Sequence, residues 1–327
     1  MISTRFQDGQ GLGNQLWAYV ATRSIAQRLG YGFSIGQPEN FKGREFMDVD
    51  FGVPSAPAPQ NSYRERAEFL KGTTRVISRT DPKLFALPPN TVIEGNFQSV
   101  EYFRETVGSL REWLRVRPEI PQFDTADNVC VVHVRGGDYR GIVDVALPRS
   151  YYRAAMSQVR QVCPEVEFRS VTDDVDLSRR LLPDVPIAGS GLTGIEDQNK
   201  ASHHKGGSVS VDFTTLKNSR YLIIPNSSFS WWAAFLNTRA AMIVAPKFWA
   251  HHNVSTGYWS SFDLIADAFV YLDRKGVVWQ PRECKQERKE WEKRNFSKFA
   301  PYSTELNFPR KAIIRARQLG SKSFRGY

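Results

Sequence analysis

The chain has 327 residues, of which 41% are hydrophobic and 24% are charged, and its formal net charge is +10. These fractions are close to globular averages and exclude a disordered, collagen-like or coiled-coil protein, while the length suits two domains of roughly 100–200 residues. Three scattered cysteines are too few for a disulfide framework and favour a reducing compartment.

The first third of the chain predicts strands and helices around a glycine-rich turn. Residues 2–6 form a short alternating run, three glycines follow within DGQGLGNQ, and apolar residues then recur at helical spacing as far as Gly30. This order predicts a strand, a turn and a helix. The later elements predicted here are strands at 31–35 and 92–97, a Pro-rich loop at 53–60 and an amphipathic helix at 100–116.

The pattern restarts near residues 118–127. Residues 128–134, NVCVVHV, form a near-continuous β-branched run, which is typical of a parallel strand buried on both faces. Strands and helices then alternate, which predicts βαβ units and a parallel sheet. The predicted elements are helices at 150–163, 176–182, 211–218, 230–237, 283–295 and 309–319 and strands at 166–171, 185–188, 221–224 and 242–245, the last of the strands.

These elements predict an α/β protein of three parts. Residues 1–122 and 123–275 are each expected to form an α/β domain, and residues 276–327 a basic helical extension. That extension carries 13 Lys and Arg residues against 5 Asp and Glu, so it holds most of the excess positive charge. It suits either a solvated tail or peripheral contact with an anionic membrane surface. Nucleic acid is not expected as a partner, because the tail shows no RNA- or DNA-module signature.

The sequence shows no signal for insertion into a membrane. No stretch of about 18 apolar residues occurs, which argues against a spanning helix. The N-terminal segment MISTRFQDGQ has no apolar signal core. The expected location is therefore the cytoplasm.

The motif GQGLGNQ, at residues 9–15, lies where a strand meets a helix. Glycines there let the backbone approach a ligand, and a helix N-terminus favours anions. The motif matches neither GxGxxG nor a P-loop, so a tight turn is the alternative. Asn14 and Gln15 bring two amides to the helix start, and amides hydrogen-bond sugar hydroxyls or phosphate oxygens.

The motif HVRGGDY, at residues 133–139, follows the buried strand directly. Ligands of open α/β sheets bind beyond the carboxyl ends of the strands. The planar guanidinium of Arg135 suits a diphosphate. The alternative is a structural pair between Arg135 and Asp138.

The motif SVTDDVD, at residues 170–176, follows the next predicted strand. Asp174 and Asp176 form a D-x-D pair, a pattern that in some enzymes holds Mn²⁺ against a nucleotide diphosphate. A helix N-cap is the simpler interpretation. A carboxylate here could instead accept hydrogen bonds from the N1–H and N2–H₂ groups of guanine.

The motif PNSSFSWWAAFLN, at residues 225–237, combines an N-cap signal with an apolar helix. Three serines, Ser227, Ser228 and Ser230, with free backbone N–H groups can form a phosphate cradle. Trp231 and Trp232 are expected in the core.

No metal site is expected. The pairs His203–His204 and His251–His252 have no Cys or Glu that completes a closed tetrahedral set. The cysteines lack an identifiable general base, so the sequence does not support nucleophilic catalysis.

Together these motifs resemble a known family. GLGNQ, IEGNFQSVEYF, HVRGGDY, VTDD and NSSFSWWAAFLN occur in the order found in the GDP-fucose-dependent α-1,2-fucosyltransferases, glycosyltransferase family 11, over roughly residues 8–250. The resemblance implies a GT-B fold, two Rossmann-like domains facing a cleft, with no metal or other cofactor. It also implies inversion at the anomeric carbon, GDP-β-L-fucose as donor, and transfer to a glycan, with a galactoside in α-1,2 linkage expected. The basic tail adds a lipid-linked oligosaccharide at a membrane as a second expected acceptor.

The resemblance also implies roles for individual residues. Arg135 and Asn14 are the catalytic candidates, with Arg135 on the donor pyrophosphate. Gln15 and Asp138 are candidates for the acceptor side. The donor-binding set that the resemblance implies is Gly13, His133, Arg135, Asp173, Ser227, Ser228 and Phe229, of which His133 and Asp173 hold the ribose and guanine.

Two departures and an open general base accompany the resemblance. Gly136 stands where the family usually shows a second arginine, and LWAYV replaces the family's MFQYA at residues 16–20. Asp8, Glu94 and Asp138 are candidates for the general base by position, and the leaving phosphate is a further candidate.

Three other functions remain open on sequence alone. The chain could be a GT-B enzyme that uses another GDP- or UDP-sugar, since the motifs read nucleotide and phosphate rather than sugar. It could be a metal-dependent transferase built on Asp174 and Asp176. It could also be a non-catalytic glycan-binding protein, against which the presence of Arg135 argues.

Overall fold

A computed structural model describes residues 1–54, 59–66, 68–70, 76–77, 80–120, 126–139, 146–188, 208–247, 264–295 and 299–301. Its strands are β1 (Ile2–Arg5), β2 (Phe33–Gly36), β3 (Met47–Asp48), β4 (Asn61–Arg64), β5 (Glu68–Leu70), β6 (Val76–Ile77), β7 (Thr91–Glu94), β8 (Arg115–Val116), β9 (Val129–Val134), β10 (Glu167–Thr172), β11 (Tyr221–Ile223), β12 (Met242–Pro246), β13 (Val270–Leu272), β14 (Val278–Trp279) and β15 (Phe299–Pro301). Its α-helices are α1 (Leu12–Arg28), α2 (Leu110–Trp113), α3 (Arg149–Val162), α4 (Val175–Leu181), α5 (Val209–Asn218), α6 (Ser228–Phe235) and α7 (Pro281–Asn295).

The first half of the chain builds a parallel sheet of four strands in the order β2-β1-β7-β4. Helix α1 follows β1 and packs against this sheet. It is buried on nearly every side, which explains why its sequence shows apolar residues around most of its circumference rather than one stripe. The predicted strand, turn and helix at the start of the chain are therefore confirmed.

The second half builds a six-stranded sheet in the order β10-β9-β11-β12-β13-β14, in which only the pairing of β14 is antiparallel. Every residue of β9 is buried, as the β-branched run predicted. Helices connect β9 to β10, β10 to β11 and β11 to β12, as βαβ units require. The predicted α/β class is confirmed, with one parallel sheet in the first half and one mainly parallel sheet in the second.

Helices α1 and α6 form a contact between the two halves. Trp17 of α1 lies 4.5 Å from Trp231 and 4.7 Å from Trp232, measured between ring centroids, and all three side chains are buried. The first turns of the helices touch at Gly13, where an added Cβ would lie 2.5 Å from the amide nitrogen of Phe229. One continuous hydrophobic core therefore spans residues of both sheets.

The C-terminal part of the described chain contacts both halves. Lys247, at the end of β12, binds Glu287 of α7 at 2.6 Å, and its ammonium lies 3.0 Å from the ring centroid of Trp279. Strand β15 then pairs antiparallel with β5, which forms a small sheet with β6. The chain thus returns to its first half after the second sheet is complete. None of the described helices is both long and apolar enough to span a bilayer.

The helix predicted at 100–116 is wrong in type and extent. Residues Val100–Ser109 form a 3₁₀-helix interrupted at Phe103 (φ −128°, ψ 18°), and only the four residues of α2 are α-helical. Phe103 leaves the helical conformation to bury its ring 5.8 Å from that of Trp17. The end of the predicted helix instead forms β8, which pairs with β3.

The strand predictions in the second half need three corrections. The segment 242–245 is not the last strand, because β13 and β14 follow it and extend the same sheet. The segment 185–188 forms a single bridge, between Ser170 and Ile187, rather than a strand. The extension predicted as helical contains β14 and β15 beside α7, and the helix predicted at 309–319 lies outside the described residues.

Replacement of Gly13 by alanine should destabilise the protein, because the new Cβ would meet backbone atoms of residues 228 and 229 that cannot rotate away. We expect a loss of about 1–3 kcal/mol in the free energy of unfolding. Urea titration measures this loss. The matched control is Gly32→Ala, whose added Cβ would meet no heavy atom within 4 Å. Equal midpoints for the two variants would contradict the contact between α1 and α6.

Candidate functional site

The polar residues of interest follow three neighbouring strands of the second sheet. Arg135 comes directly after β9, Asp173 after β10, and the segment 226–228 lies shortly after β11. The carboxyl ends of parallel strands meet at one edge of a sheet, where α/β proteins bind ligands. The structure therefore collects the residues of three separate motifs at one edge.

Arg135 and Asp173 form an ion pair at this edge. Arg135 Nη1 lies 2.7 Å from Asp173 Oδ2, and the other carboxylate oxygen accepts a hydrogen bond of 2.8 Å from the backbone N–H of Gly136. The guanidinium also lies 5.3 Å from the ring centroid of Tyr139. Both side chains keep about 30% exposure (31% and 29%), so a ligand can reach the pair. The side chain of Asp138, the alternative partner, lies outside the described part of the structure.

Gly136 has no room for the arginine that the family resemblance leads one to expect. A Cβ built there would lie 2.6 Å from Cγ of Asp174. Asp174 is itself held in place, because its carboxylate accepts a hydrogen bond of 3.0 Å from the N–H of Leu177 and caps α4. A glycine is therefore required at position 136, because Asp174, the N-cap of α4, occupies the space that a side chain would need.

Asp174 and Asp176 do not form a metal site in this structure. Asp174 is buried and occupied as the cap of α4, whereas Asp176 is exposed. The simpler N-cap interpretation therefore accounts for Asp174. Within the described ranges no three His, Cys, Asp or Glu side chains are grouped to hold a metal ion, and both histidine pairs of the sequence lie outside those ranges.

His133 is a neutral, buried imidazole beside the ion pair. Burial, and then the positive charge of Arg135, lower the pKa of His133 to about 3. Its side chain is 4% exposed and its ring centroid lies 5.9 Å from that of Phe229, so the ends of β9 and the first turn of α6 are adjacent. Its Nδ1 atom has no hydrogen-bond partner among the described residues.

The first turn of α6 begins at Ser228 with Ser227 as N-cap, and the Ser227 side chain makes no capping hydrogen bond. The first N–H groups of a helix have no intrahelical acceptor, and together with the helix dipole they favour an anion. Ser227 is buried and Ser228 is partly exposed. The predicted cradle is thus present as geometry, with its backbone donors uncapped by side chains.

Asn14 and Ser228 are joined by Gln98, a residue that the sequence analysis did not single out. The Gln98 amide nitrogen donates to Asn14 Oδ1 at 3.0 Å and to Ser228 Oγ at 3.2 Å. Gln98 is only 6% exposed. The motifs GLGNQ, IEGNFQS and NSSFS, from three distant parts of the sequence, therefore meet at one amide group.

Gln15 and Gly13 have structural roles in this arrangement. Gln15 is fully buried; its amide nitrogen donates to Asn40 O at 2.7 Å and its oxygen accepts from Lys42 N at 2.9 Å. This occupied side chain gives the expected acceptor-side role of Gln15 no support. Gly13 permits the close approach of α1 to α6 described above.

Asp212 is a second carboxylate near the site that sequence reasoning missed. Burial, and then the negative charge of Asp173, raise the pKa of Asp212 to about 7. The neighbouring Phe213 packs against Phe229, with ring centroids 5.4 Å apart. An acidic residue in the first turn of a helix is ordinary, so the sequence carried no signal for it.

The candidates for a general base differ in their surroundings. Glu94 is bound by Arg64 at 2.7 Å and lies 3.7 Å from Arg5. Asp8 is exposed in the turn before α1. Asp138 is outside the described side chains. The structure does not favour any of the three.

Comparison with known proteins identifies relatives of this chain. The model of glycosyl transferase family 11 matches residues 66–262, which include His133, Arg135, Asp173 and Ser228. Asn14 precedes the matched range. This match covers more than half of the chain.

Two curated relatives and two solved structures are similar to the chain. An alpha-1,2-colitosyltransferase of Escherichia coli is 25% identical over 55% of this chain and 62% of its own, and the O-antigen biosynthesis glycosyltransferase WbnK of Escherichia coli is 25% identical over 37% and 39%. The chain thus matches less than two thirds of either relative's length. Fucosyltransferase NodZ from Bradyrhizobium covers 74% of this chain and 94% of its own at 17% identity and a TM-score of 0.41. Heptosyltransferase WaaC of E. coli covers 90% and 100% at 10% identity and a TM-score of 0.35.

The family assignment rests on the family match. That match spans both the residues at the strand ends of the second sheet and the segment that carries Gln98. These are the residues that the structure brings together. The chain belongs to glycosyl transferase family 11.

Proposed function

We propose that this protein is an inverting, metal-independent fucosyltransferase that uses GDP-β-L-fucose. The observation that carries the proposal is the partly exposed guanidinium of Arg135 at the strand ends, with the uncapped first turn of α6 nearby. A guanidinium and helix N–H groups together suit a diphosphate. The sequence motifs and the family membership support the GDP-sugar as donor.

The carboxylates and the imidazole of the site suit the nucleoside. Asp173 and Asp212 can accept hydrogen bonds from the N1–H and N2–H₂ groups of guanine, as acidic side chains do from base edges elsewhere. Burial raises the pKa of Asp212 to about 7. Hydrogen bonds donated by guanine would favour the charged form of this carboxyl. The sequence resemblance assigns the ribose to His133, whose ring lies 5.9 Å from that of Phe229 at the same strand ends.

In the proposed reaction an acceptor hydroxyl attacks C1 of fucose from the face opposite the diphosphate, and the C1–O bond to the β-phosphate breaks. Negative charge grows on that phosphate oxygen as the sugar becomes oxocarbenium-like. Arg135 and the N–H groups of α6 neutralise the charge with fixed donors, so no metal or other cofactor is required. Asn14 would donate its amide to the same phosphate, and the phosphate can accept the acceptor's proton.

The proposed acceptor is a glycan, in α-1,2 linkage to a galactoside or on a lipid-linked oligosaccharide. The names of the two relatives, a colitosyltransferase and an O-antigen glycosyltransferase, support an acceptor in a surface polysaccharide. The former also makes colitosyl transfer a second candidate function. Release of the nucleoside diphosphate from a panel of GDP- and UDP-sugars that includes the fucose and colitose donors separates the two.

Peripheral membrane contact in the cytoplasm is proposed for the end of the chain. The basic residues of α7 are partly neutralised, since Lys285 binds Asp267 at 2.5 Å and Arg288 binds Glu292 at 2.7 Å. Residues 302–327 carry six further Lys and Arg residues and one Glu. These residues are the better source of attraction to anionic lipid.

Removal of residues 302–327 should abolish sedimentation with anionic vesicles at low salt, because each basic residue near such a surface contributes about 1 kcal/mol. The deletion spares α7 and β15, both of which pack on the rest of the protein. Full-length protein at high salt is the control. Equal sedimentation of both forms at low salt would refute the membrane contact.

Replacement of Arg135 by alanine should abolish GDP binding in calorimetry with EDTA present and reduce turnover by about 10²–10³-fold, the usual cost of one preorganised donor. The matched control is Arg239→Ala, which breaks an exposed pair with Asp127 (3.2 Å) in the loop before β12, at the opposite edge of the sheet. We expect the control to bind GDP normally. Normal binding and turnover by Arg135→Ala would refute the donor site.

Replacement of Asp212 by asparagine should raise the thermal midpoint at about pH 8 and change it little near pH 4. The pKa of about 7, against an ordinary value of 3.8, means that the folded protein holds a proton the unfolded chain has released. This carboxyl therefore lowers stability as the pH rises through that window, and the loss is complete above pH 7. Asparagine, which is never charged, avoids the loss.

The exposed Asp176→Asn is the control for this experiment and should leave both midpoints unchanged. The same Asp212 variant should lose about 1–3 kcal/mol of GDP affinity if its carboxylate reads guanine. A midpoint that is lowered at both pH values would contradict the raised pKa. Unchanged GDP affinity would contradict the guanine contact.

A further inference from the structure

The carboxylate of Glu65, just beyond β4, holds the turn that follows β7. Glu65 Oε2 accepts hydrogen bonds from the backbone N–H groups of Asn96 (2.9 Å) and Phe97 (2.8 Å). Its other oxygen accepts a hydrogen bond of 2.7 Å from the hydroxyl of Tyr102. Three donors thus converge on one carboxylate beneath the turn.

This turn has a conformation that needs such support. Phe97 has φ of +50°, in the left-handed region, which is unfavourable for a residue with a side chain. Gly95 lies so close to Glu65 that an added Cβ would be 2.5 Å from the Glu65 Cβ. Two successive N–H groups that point to one side form an anion-binding nest. The Glu65 carboxylate is the anion in this nest.

The position of Glu65 is an unfavourable one for a charge. Burial, with a smaller contribution from the charge of Asp81, raises the pKa of Glu65 to about 7 against the lowering effect of its hydrogen bonds. Asp81 is fixed on the same side, where it accepts from the Tyr63 hydroxyl at 2.7 Å and from Arg66 N at 2.9 Å. The carboxylates of Glu65 and Asp81 thus lie under the same turn although burial and their mutual repulsion disfavour a charge on Glu65.

The turn delivers Gln98 to the candidate donor site. Because the Gln98 amide donates to Asn14 Oδ1 and Ser228 Oγ, it fixes the orientation of both partners. The Asn14 amide nitrogen must then face away from Gln98, and the Ser228 hydroxyl hydrogen is free to point elsewhere. Gln98 thereby leaves two oriented donors at the junction of α1 and α6.

We infer that Glu65 is a positioning residue of the transfer site, which acts through Gln98 to orient the donor groups of Asn14 and Ser228. Glu65 itself touches no reacting atom in this arrangement. The inference rests on the proposed function, since the oriented donors matter only if a phosphate leaves there. It predicts that Glu65 affects turnover only by positioning the Gln98 side chain.

A double-mutant cycle tests this directly. Gln98→Ala and Glu65→Ala should each lower kcat for GDP release by about 10–100-fold, the scale of a small misplacement of catalytic groups. In the Gln98→Ala background, Glu65→Ala should lower kcat by less than about twofold further, because its route to the site is already removed. GDP affinity and the thermal midpoint are measured for every variant.

Two further variants keep the test informative. Glu65→Gln can still accept from both N–H groups, so it should restore most of kcat even where Glu65→Ala folds poorly. Glu105→Ala removes an exposed glutamate that pairs with Arg28 at 3.2 Å, and it should leave kcat unchanged. A purely structural Glu65 would lower the midpoint and the active fraction without this dependence on Gln98.

The outcomes are distinguishable. A wild-type protein that neither binds GDP nor releases it from any GDP-sugar would overturn the proposed function and this inference with it. An active wild type with additive losses in the double variant, or with unchanged kcat in Gln98→Ala, would overturn the inference alone. Loss of kcat in both single variants without further loss in the double variant supports it.

Discussion

The backbone contact between the first turns of α1 and α6 is the constraint on which the rest of the site depends. Neither helix has a side-chain N-cap, and both N-termini carry a partial positive charge. Gly13 allows them to touch, and the buried tryptophans behind them keep them in place. An anion stabilises two like partial charges at this distance, so the packing between the halves also favours the phosphate site that we propose.

The Arg135–Asp173 ion pair determines the charge balance and the turn conformation on the other side of the site. The carboxylate balances the guanidinium and, through the Gly136 N–H, fixes the turn after β9. A guanidinium is a planar group with five donors, and its geometry matches a diphosphate. His133 stays neutral beside it because a second positive charge would be buried there.

Local patterns predicted what depends on local sequence. The β-branched run gave β9, and the position of Arg135 after it followed from strand topology alone. The contacts of Gln98, Glu65 and Asp212 could not be predicted, because each depends on partners roughly 30 to 130 residues away in sequence. The acceptor-side prediction for Gln15 gained no support, because an amide at a helix start binds a loop backbone as readily as a sugar. The helix predicted at 100–116 failed because tertiary packing of Phe103 overrode its periodicity.

The pairing of β15 with β5 has a consequence for synthesis of the protein. The two strands lie more than 220 residues apart, so the edge of β5 stays without this neighbour until residues 299–301 have left the ribosome. An unpaired strand edge is a template for other chains. The nascent first half therefore carries an aggregation-prone edge for most of translation, and truncation before residue 299 would make that exposure permanent.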